Sequence, residues 1–172
     1  KKLCLEIRDS IATPESRRQT GEGLVQYLVK SGLAHKLSTD VSKASAKARI
    51  YVLGFGAGAL SPDPVEILQA VEPDGVSCYF TALDFYELTT QFPVHHHIAM
   101  PTQYDTPLAL EPVIGSTGKK QTRERPGTFM FHYDGLPYYR TQRDTRLMPG
   151  VQRRRFGDSI IRITTLEQTL LD

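Results

Sequence analysis

The chain contains no tryptophan and only two cysteines among its 172 residues. Cys4 and Cys78 are far apart in the sequence and match no metal-ligand spacing, so two free thiols in a reducing compartment are expected. No apolar run approaches the ~20 residues that a membrane-spanning helix requires. The first residues also lack the basic and apolar regions of a secretory signal. These absences predict a cytoplasmic protein without a membrane segment.

Positive charge is missing from the centre of the chain. Residues 51–114 contain no Lys or Arg and eight acidic side chains, which gives this segment a charge of −8. Residues 1–50 carry +5 and residues 115–162 carry +7, so the small net charge of +2 hides two basic flanks. This asymmetry predicts that one or both flanks bind a polyanion, unless the fold brings the segments together and cancels their charges.

The N-terminal flank has the element order of a winged helix-turn-helix. Apolar spacing and capping residues predict two helices before Thr20-Gly21, where the second of them ends. A third helix follows from about Glu22 to Lys30, and Ser31-Gly32 ends it. Two short strands over residues 33–37 and 49–53 enclose a small, polar and basic loop. This order predicts a DNA-binding domain that consists of helices and a hairpin wing.

The third helix carries a polar stripe, because Glu22, Gln26 and Lys30 fall four residues apart. A helix that enters the major groove needs such a stripe, since Gln pairs with adenine and Lys reaches guanine or phosphate. The basic loop has the composition of a wing that lies along phosphates. The alternative is a solvated helix face on a protein-docking module. The predicted DNA-binding residues are Arg17, Arg18, Thr20, Glu22, Gln26, Lys30, Lys43, Lys47 and Arg49.

The acidic centre begins with a linker. Residues 54–61 are rich in glycine but lack the spacing of a phosphate-binding loop. Asp63 and Pro64 then have the pattern of a helix cap and first helical residue. The predicted domains are residues 1–58 and residues 59–172. The predicted fold class is α+β, with an N-terminal winged helix-turn-helix followed by a mixed α/β domain.

A helix and a strand are predicted next. Thr81-x-x-Asp84 is a capping pattern that predicts a helix start at Thr81. The following strand, over residues 94–100, contains His95, His96 and His97, of which the first and third share a face. Two histidines on one strand can bind zinc, but no third ligand or Glu-x-x-His spacing is evident. A packed or surface strand is therefore favoured over a metal site.

The C-terminal flank combines strands with arginine. Asp134-Gly135 predicts a tight turn between two strands, and Pro137 predicts that the second strand lies at a sheet edge. A last strand over residues 160–163 precedes a helix capped by Thr164 or Thr165. Guanidinium groups suit phosphate contacts, but they suit docking on an acidic protein or simple solvation equally well. The candidate second basic surface consists of Arg140, Arg143, Arg146, Arg153, Arg154 and Arg155.

The motifs YFTALDFYELT and RITTLEQTLLD, with RIYVLG before them, resemble the AbiEi-type antitoxin family of bacteria. These proteins are transcriptional regulators from type IV toxin–antitoxin and abortive-infection loci. Thr81-Ala82-Leu83 matches the Ser/Thr-Ala-Leu helix motif of the family, and residues 165–172 match its T-x-E-x-T-L-x-D helix. The usual Gly-Leu after the first helix is replaced by Glu87-Leu88. The family's chain also normally continues beyond the final Asp into further helices.

This resemblance implies an autorepressor that binds double-stranded DNA at its own promoter. It also implies an antitoxin that neutralises a nucleotidyltransferase-like toxin without necessarily forming a stable complex. The alternative is a non-catalytic subunit of a larger defence assembly, docked through its arginine-rich flank. A nuclease using Asp74, Asp84 and Glu111 is less favoured, because no acid-x-Lys triplet follows them. We therefore predict no enzymatic activity, no catalytic residues, no cofactor and no metal.

Overall fold

The computed structural model describes residues 20–39, 49–54, 61–103, 127–157 and 159–172. These residues contain both helices and sheets, which confirms the predicted α+β class. They fall into two compact units, and the second unit includes Asp63–Asp172. The predicted domain boundary, the two helices expected before Thr20 and the tip of the expected wing all lie outside the described residues. Within the described ranges, no helix is long and apolar enough to cross a membrane.

The first unit contains one helix and a two-stranded antiparallel sheet among its described residues. Helix α1 spans Gly21–Lys30, and strands β1 and β2 span Ala34–Lys36 and Tyr51–Leu53. The backbone N–H of Gly23 donates to Thr20 Oγ1 at 3.2 Å, so Thr20 caps α1. Gly32 adopts a φ of 72° just after the helix, as a C-terminal cap requires.

The apolar side of α1 packs on the sheet of the first unit. In this sheet Ala34 lies opposite Leu53, and Lys36 lies opposite Tyr51. The small core consists of the buried side chains Leu24, Ala34, Leu37 and Ile50. The opposite side of α1 consequently faces solvent.

The second unit contains a six-stranded mixed sheet with the strand order β5-β6-β4-β3-β8-β7. Pairs β4–β6 and β3–β8 are parallel, and the other neighbours are antiparallel. The strands are β3 Val76–Ser77, β4 His96–Thr102, β5 Thr128–Tyr133, β6 Leu136–Asp144, β7 Val151–Phe156 and β8 Ser159–Thr164. The helices are α2 Pro64–Val71, α3 Tyr79–Phe85 and α4 Leu166–Leu171, with a 3-10 turn at Thr145–Leu147.

Helices α2 and α4 begin where their capping patterns predict. Asp63 Oδ1 accepts a hydrogen bond from the backbone N–H of Val65 at 2.9 Å, and Pro64 occupies the first helical position. At the start of α4, Thr165 Oγ1 accepts from the backbone N–H of Gln168 at 3.3 Å. Both caps use hydrogen bonds between residues two or three apart, so the sequence pattern suffices to locate them.

Helix α3 begins two residues earlier than its capping pattern predicts, so that prediction is wrong. The helix starts at Tyr79, and its cap residue Cys78 makes no side-chain hydrogen bond. Thr81 is buried inside the helix, and its Oγ1 accepts a hydrogen bond from the backbone N–H of His97 at 2.7 Å. Because α3 packs directly on β4, the hydroxyl oxygen of Thr81 accepts a hydrogen bond from the strand and does not cap the helix.

The hairpin between β5 and β6 turns at Asp134-Gly135 as predicted, with φ values of 50° and 76°. The edge position predicted for Pro137 is wrong, because β6 lies between β5 and β4. Pairing with β4 starts only at Tyr138, which lies opposite His96. Pro137 lies one residue before that ladder, so its missing N–H removes no hydrogen bond to β4.

Buried apolar side chains lie on both faces of the sheet of the second unit, since Ile98 and Ala99 are consecutive on β4 and both 0% exposed. Ala99 packs in a cluster with Val76, Cys78 and Met148. The largest fully buried side chains of the unit are Tyr138, Phe131, Ile67, Leu68, Ile98, Ile161 and Ile163. Gly75 is in contact with the core, since a Cβ atom there would lie 2.5 Å from the Ile98 side chain. The turn between α2 and β3 therefore requires glycine.

Candidate nucleic-acid interface

Helix α1 presents the predicted polar stripe to solvent. Glu22, Gln26 and Lys30 are all exposed, whereas Leu24 on the other side is 7% exposed. The bordering side chain Tyr27 is also exposed, at 58%. Sequence reasoning missed Tyr27, because an aromatic residue at helical spacing is more typical of a core. The exposed face therefore combines an amide, an ammonium group and an aromatic ring.

Glu22, at the N-terminal end of this polar stripe, forms an ion pair with Arg49. Arg49 Nη1 lies 3.3 Å from Glu22 Oε1, and the two side chains are 64% and 65% exposed. The contact joins the segment that enters β2 to the first turn of α1. An exposed pair of this kind contributes only about 0–1 kcal/mol, so it opens readily. While the pair is formed, Arg49 neutralises Glu22, which lies one helical turn before Gln26.

The other predicted DNA-binding residues are only partly covered by the structure. Thr20 lies at the helix N-terminus, where its oxygen accepts the capping hydrogen bond. His35 and Lys36 on β1 are exposed and were missed, since a three-residue strand gives little periodicity to assign. Outside the described residues lie Arg17, Arg18, Lys43 and Lys47.

In the second unit, three of the six arginines of the candidate second basic surface are paired with carboxylates. Arg140 Nη1 lies 3.0 Å from Glu72 Oε1. Arg143 donates twice to the carboxylate of Asp172, at 2.7 and 2.5 Å. Arg146 Nε donates to Asp144 Oδ1 at 3.0 Å. These three side chains consequently offer little uncompensated charge to a partner.

The pKa values of these paired groups move in the direction that the contacts require. Hydrogen bonds to Asp172 raise the pKa of Arg143 above its usual range. The side-chain hydrogen bonds from Arg146 hold the pKa of Asp144 below its ordinary value. In both pairs the ionised form is favoured, which is typical of charge-assisted hydrogen bonds.

The remaining three arginines lie exposed along β7, which is an edge strand among the strands described. The Cζ atom of Arg154 lies 5.9 Å from the ring centroid of Phe85 and 5.8 Å from that of Tyr86. Arg154 is therefore on the sheet face that α3 covers. Since side chains alternate along a strand, Arg153 and Arg155 point to the opposite face.

The histidine run is packed into the sheet. His96 and His97 are 1% and 6% exposed, and their rings contact Tyr138 and Tyr139, respectively. Burial, with a smaller effect of the two neighbouring histidines, lowers the pKa of His96 to about 4. Among the described residues, no three His, Cys, Asp or Glu side chains are grouped so that they could hold a metal ion. The geometry therefore supports a packed strand.

A small acidic cleft lies between the start of α2 and the C-terminal part of α3. Its volume is about 210 Å³, and Asp63, Asp84 and Glu87 line it together with Thr81 and aromatic rings. Burial raises the pKa of Asp63, and the charge of Asp84 raises it further. Its lining contains no basic side chain among the described residues. Of the three carboxylates considered for a nuclease, Asp84 lines this cleft and Asp74 does not, while Glu111 lies outside the described residues.

No family model matches this chain, and no curated protein matches it either. The resemblance to AbiEi-type antitoxins therefore depends on the short motifs alone. In the structure the two longer motifs, residues 79–89 and 162–172, contact each other within the second unit. Thr81 and Ala82 are buried in α3, and Tyr86 donates a hydrogen bond from its hydroxyl to the carbonyl of Thr164 at 2.7 Å.

Proposed function

We propose that the first unit binds double-stranded DNA as a winged helix-turn-helix, with α1 as the recognition helix. The observation that carries this proposal is the exposed stripe of Glu22, Gln26 and Lys30 on a helix that precedes an antiparallel hairpin. An α-helix fits the major groove, and the hairpin that follows it in a winged helix lies along the phosphate backbone.

In this proposal the side chains of α1 contact bases, and those of the hairpin contact phosphates. The Gln26 amide pairs with the edge of an adenine, and Lys30 binds guanine or phosphate. Arg49 leaves Glu22 to contact a phosphate, which the weakness of their exposed ion pair permits. Lys36, Lys43 and Lys47 provide further phosphate contacts from the hairpin and its loop.

The broader role follows from the motif resemblance. We propose an autorepressor that acts at its own promoter and an antitoxin of a bacterial type IV toxin–antitoxin or phage-defence locus, located in the cytoplasm. Its protein partner would be a nucleotidyltransferase-like toxin or a subunit of a defence complex. The second unit, which carries both family motifs, is the part that we assign to this neutralising role.

The recognition-helix assignment is tested with the double variant Gln26→Ala/Lys30→Ala. We expect binding to the DNA upstream of the gene to weaken by about 2–5 kcal/mol, because each base contact contributes about 1–3 kcal/mol. Fluorescence anisotropy across a salt series measures the affinity for this duplex and for a scrambled duplex of equal length.

The scrambled duplex is the internal control for the charge that Lys30→Ala removes. Removing a phosphate contact weakens binding to both duplexes equally, whereas removing a base contact lowers the ratio of the two affinities. A ratio that stays at the wild-type value in the double variant would show that these side chains of α1 do not read bases, and it would reject α1 as the recognition helix.

A further inference from the structure

We propose that the second unit has its own phosphate-binding surface, formed by Arg153, Arg155 and Arg162 on the β7–β8 hairpin. This surface binds the backbone of duplex DNA without regard to base sequence. The choice of duplex DNA as the ligand rests on the proposed function. The existence of the surface rests on the contacts of the three arginines.

Strand register places the three guanidinium groups on one face of the sheet. Arg153 lies directly opposite Arg162, and Arg155 lies opposite Ile160. Residues that face each other in an antiparallel pair point to the same side. Arg153 and Arg155 are two residues apart on one strand, or about 6.7 Å along it. Arg154, between them, is on the other face against Phe85 and Tyr86.

Unlike Arg140, Arg143 and Arg146, these arginines have no carboxylate partner among the described residues. Neither Arg153 nor Arg155 forms an ion pair with any acidic residue that the structure describes. Arg155 Nε makes only a long contact of 3.5 Å to the carbonyl of Gly157. Arg162 Nη1 donates to the carbonyl of Asp74 at 2.7 Å. Carbonyl oxygens do not neutralise a guanidinium ion, so no described residue compensates these charges.

This arrangement is unfavourable without a ligand, because like charges directly opposite each other destabilise a sheet. A bound polyanion replaces the repulsion between these arginines with attraction to its phosphates. Guanidinium groups bind phosphate oxygens bidentately. β7 is an edge strand among those described, so its outer side is accessible to a large ligand.

The composition of the face favours a nucleic acid backbone over an acidic protein. Protein–protein interface cores combine Arg with aromatic side chains and Met. Among the described residues of β7 and β8, Ile160 is the only large apolar side chain between these arginines, and it is 67% exposed. Phosphate contacts need no apolar anchor, since counterion release supplies the affinity.

The test compares Arg153→Gln/Arg155→Gln with Arg154→Gln in the full chain. The probe is a scrambled duplex, and the readout is the slope of the logarithm of the affinity against the logarithm of the salt concentration. We expect the double variant to reduce the magnitude of that slope by about 0.9 for each phosphate that it no longer neutralises, and to weaken binding roughly tenfold at low salt. Arg154→Gln removes one charge from the same strand on the other face, so it should keep the wild-type slope.

Several outcomes would overturn the proposal. These are a wild-type slope in the double variant, an equal effect in Arg154→Gln, and displacement of the duplex by poly-L-glutamate at equal charge concentration. If the double variant binds DNA normally but self-associates, the role of the arginines is to prevent another chain from pairing with the edge strand β7. In that case the proposal is wrong. Thermal unfolding of each variant establishes that it is folded.

Failure of this inference and failure of the proposed function are distinguishable. If the α1 variants keep their preference for the promoter duplex while Arg153→Gln/Arg155→Gln flattens the slope, the recognition helix is wrong and the hairpin surface stands. If instead the α1 variants lose their preference for the promoter duplex while Arg153→Gln/Arg155→Gln keeps the wild-type slope, only the hairpin surface is rejected. A wild-type chain that binds no duplex at low salt would reject both.

Discussion

At the scale of single residues, the hydroxyl of Thr81 has a different role from the one that the local sequence predicts. The capping pattern predicts that it caps a helix, but in the structure it binds the backbone of β4. The hydroxyl oxygen of Thr81 accepts the N–H of His97 at 2.7 Å, and both residues are buried. A buried N–H without a partner is costly, because it gives up its hydrogen bond to water on folding. The Thr-Ala-Leu motif therefore fixes the position of α3 on β4.

Replacing Thr81 by Val removes this acceptor and nearly preserves the shape of the side chain. We expect the free energy of unfolding to fall by about 1–3 kcal/mol, which is the cost of an unpaired buried donor. Urea unfolding measures the change. Thr81→Ser is the matched control, since it keeps the acceptor and removes only a methyl group. A Val variant that is as stable as the Ser variant would show that the hydrogen bond contributes nothing.

His96 is a second residue whose behaviour depends on its surroundings. Both ring nitrogens are buried without a hydrogen-bond partner among the described residues, and burial lowers the pKa of the ring to about 4. Between that value and the usual one near 6.5, the unfolded chain binds a proton that the folded chain does not. Stability should therefore fall as the pH drops from about 6.5 towards 4.

The size of this pH effect is on the order of 3 kcal/mol, because each unit of pKa difference corresponds to about 1.4 kcal/mol. Urea unfolding at several pH values measures it. His96→Leu removes the titrating ring, so its stability relative to wild type should rise on acidification through that range. Parallel profiles for the two proteins would show that His96 does not titrate as described.

At the scale of elements, the bidentate contact of Arg143 with Asp172 ties β6 to the end of α4. The Arg143 side chain is 15% exposed and the Asp172 side chain is 1% exposed. By contrast, Arg140 and Glu72 form a more open pair, with 44% and 20% of their side chains exposed. Screening by water makes the second contact weaker than the first.

We expect Asp172→Asn to lower the free energy of unfolding by about 1–3 kcal/mol, because it leaves a partly buried guanidinium unpaired. Glu72→Gln removes the same charge from the more open pair, and its expected cost is below about 1 kcal/mol. Chemical denaturation of both variants at one salt concentration gives the comparison. Equal destabilisation of the two variants would contradict the ranking by burial.

At the scale of the whole molecule, the charge partition of the sequence is partly cancelled by folding. Glu72, from the acidic centre, neutralises Arg140 from the C-terminal flank. Arg146 is neutralised by Asp144 from within that same flank. Among the described residues of the flank, the arginines without a carboxylate partner lie on β7 and β8. In that part of the chain the unpaired positive charge is therefore a local surface on one hairpin.

Sequence alone was sufficient for features whose hydrogen bonds stay within a few residues. The caps at Asp63 and Thr165, the turn at Asp134-Gly135 and the exposed stripe of α1 all belong to this class. Neighbouring residues set the backbone angles at such points, so a short pattern contains the necessary information.

Only the tertiary structure decided which polar groups meet across the sheet. Arg140 is 68 residues from its partner Glu72, and Thr81 is 16 residues from the N–H that it accepts. The interior position of β6 and the burial of His96 likewise depend on strand order. Pairing of distant segments is set by the burial of apolar surface over the whole unit. No local pattern therefore distinguishes an arginine that will be neutralised from one that remains free to bind phosphate.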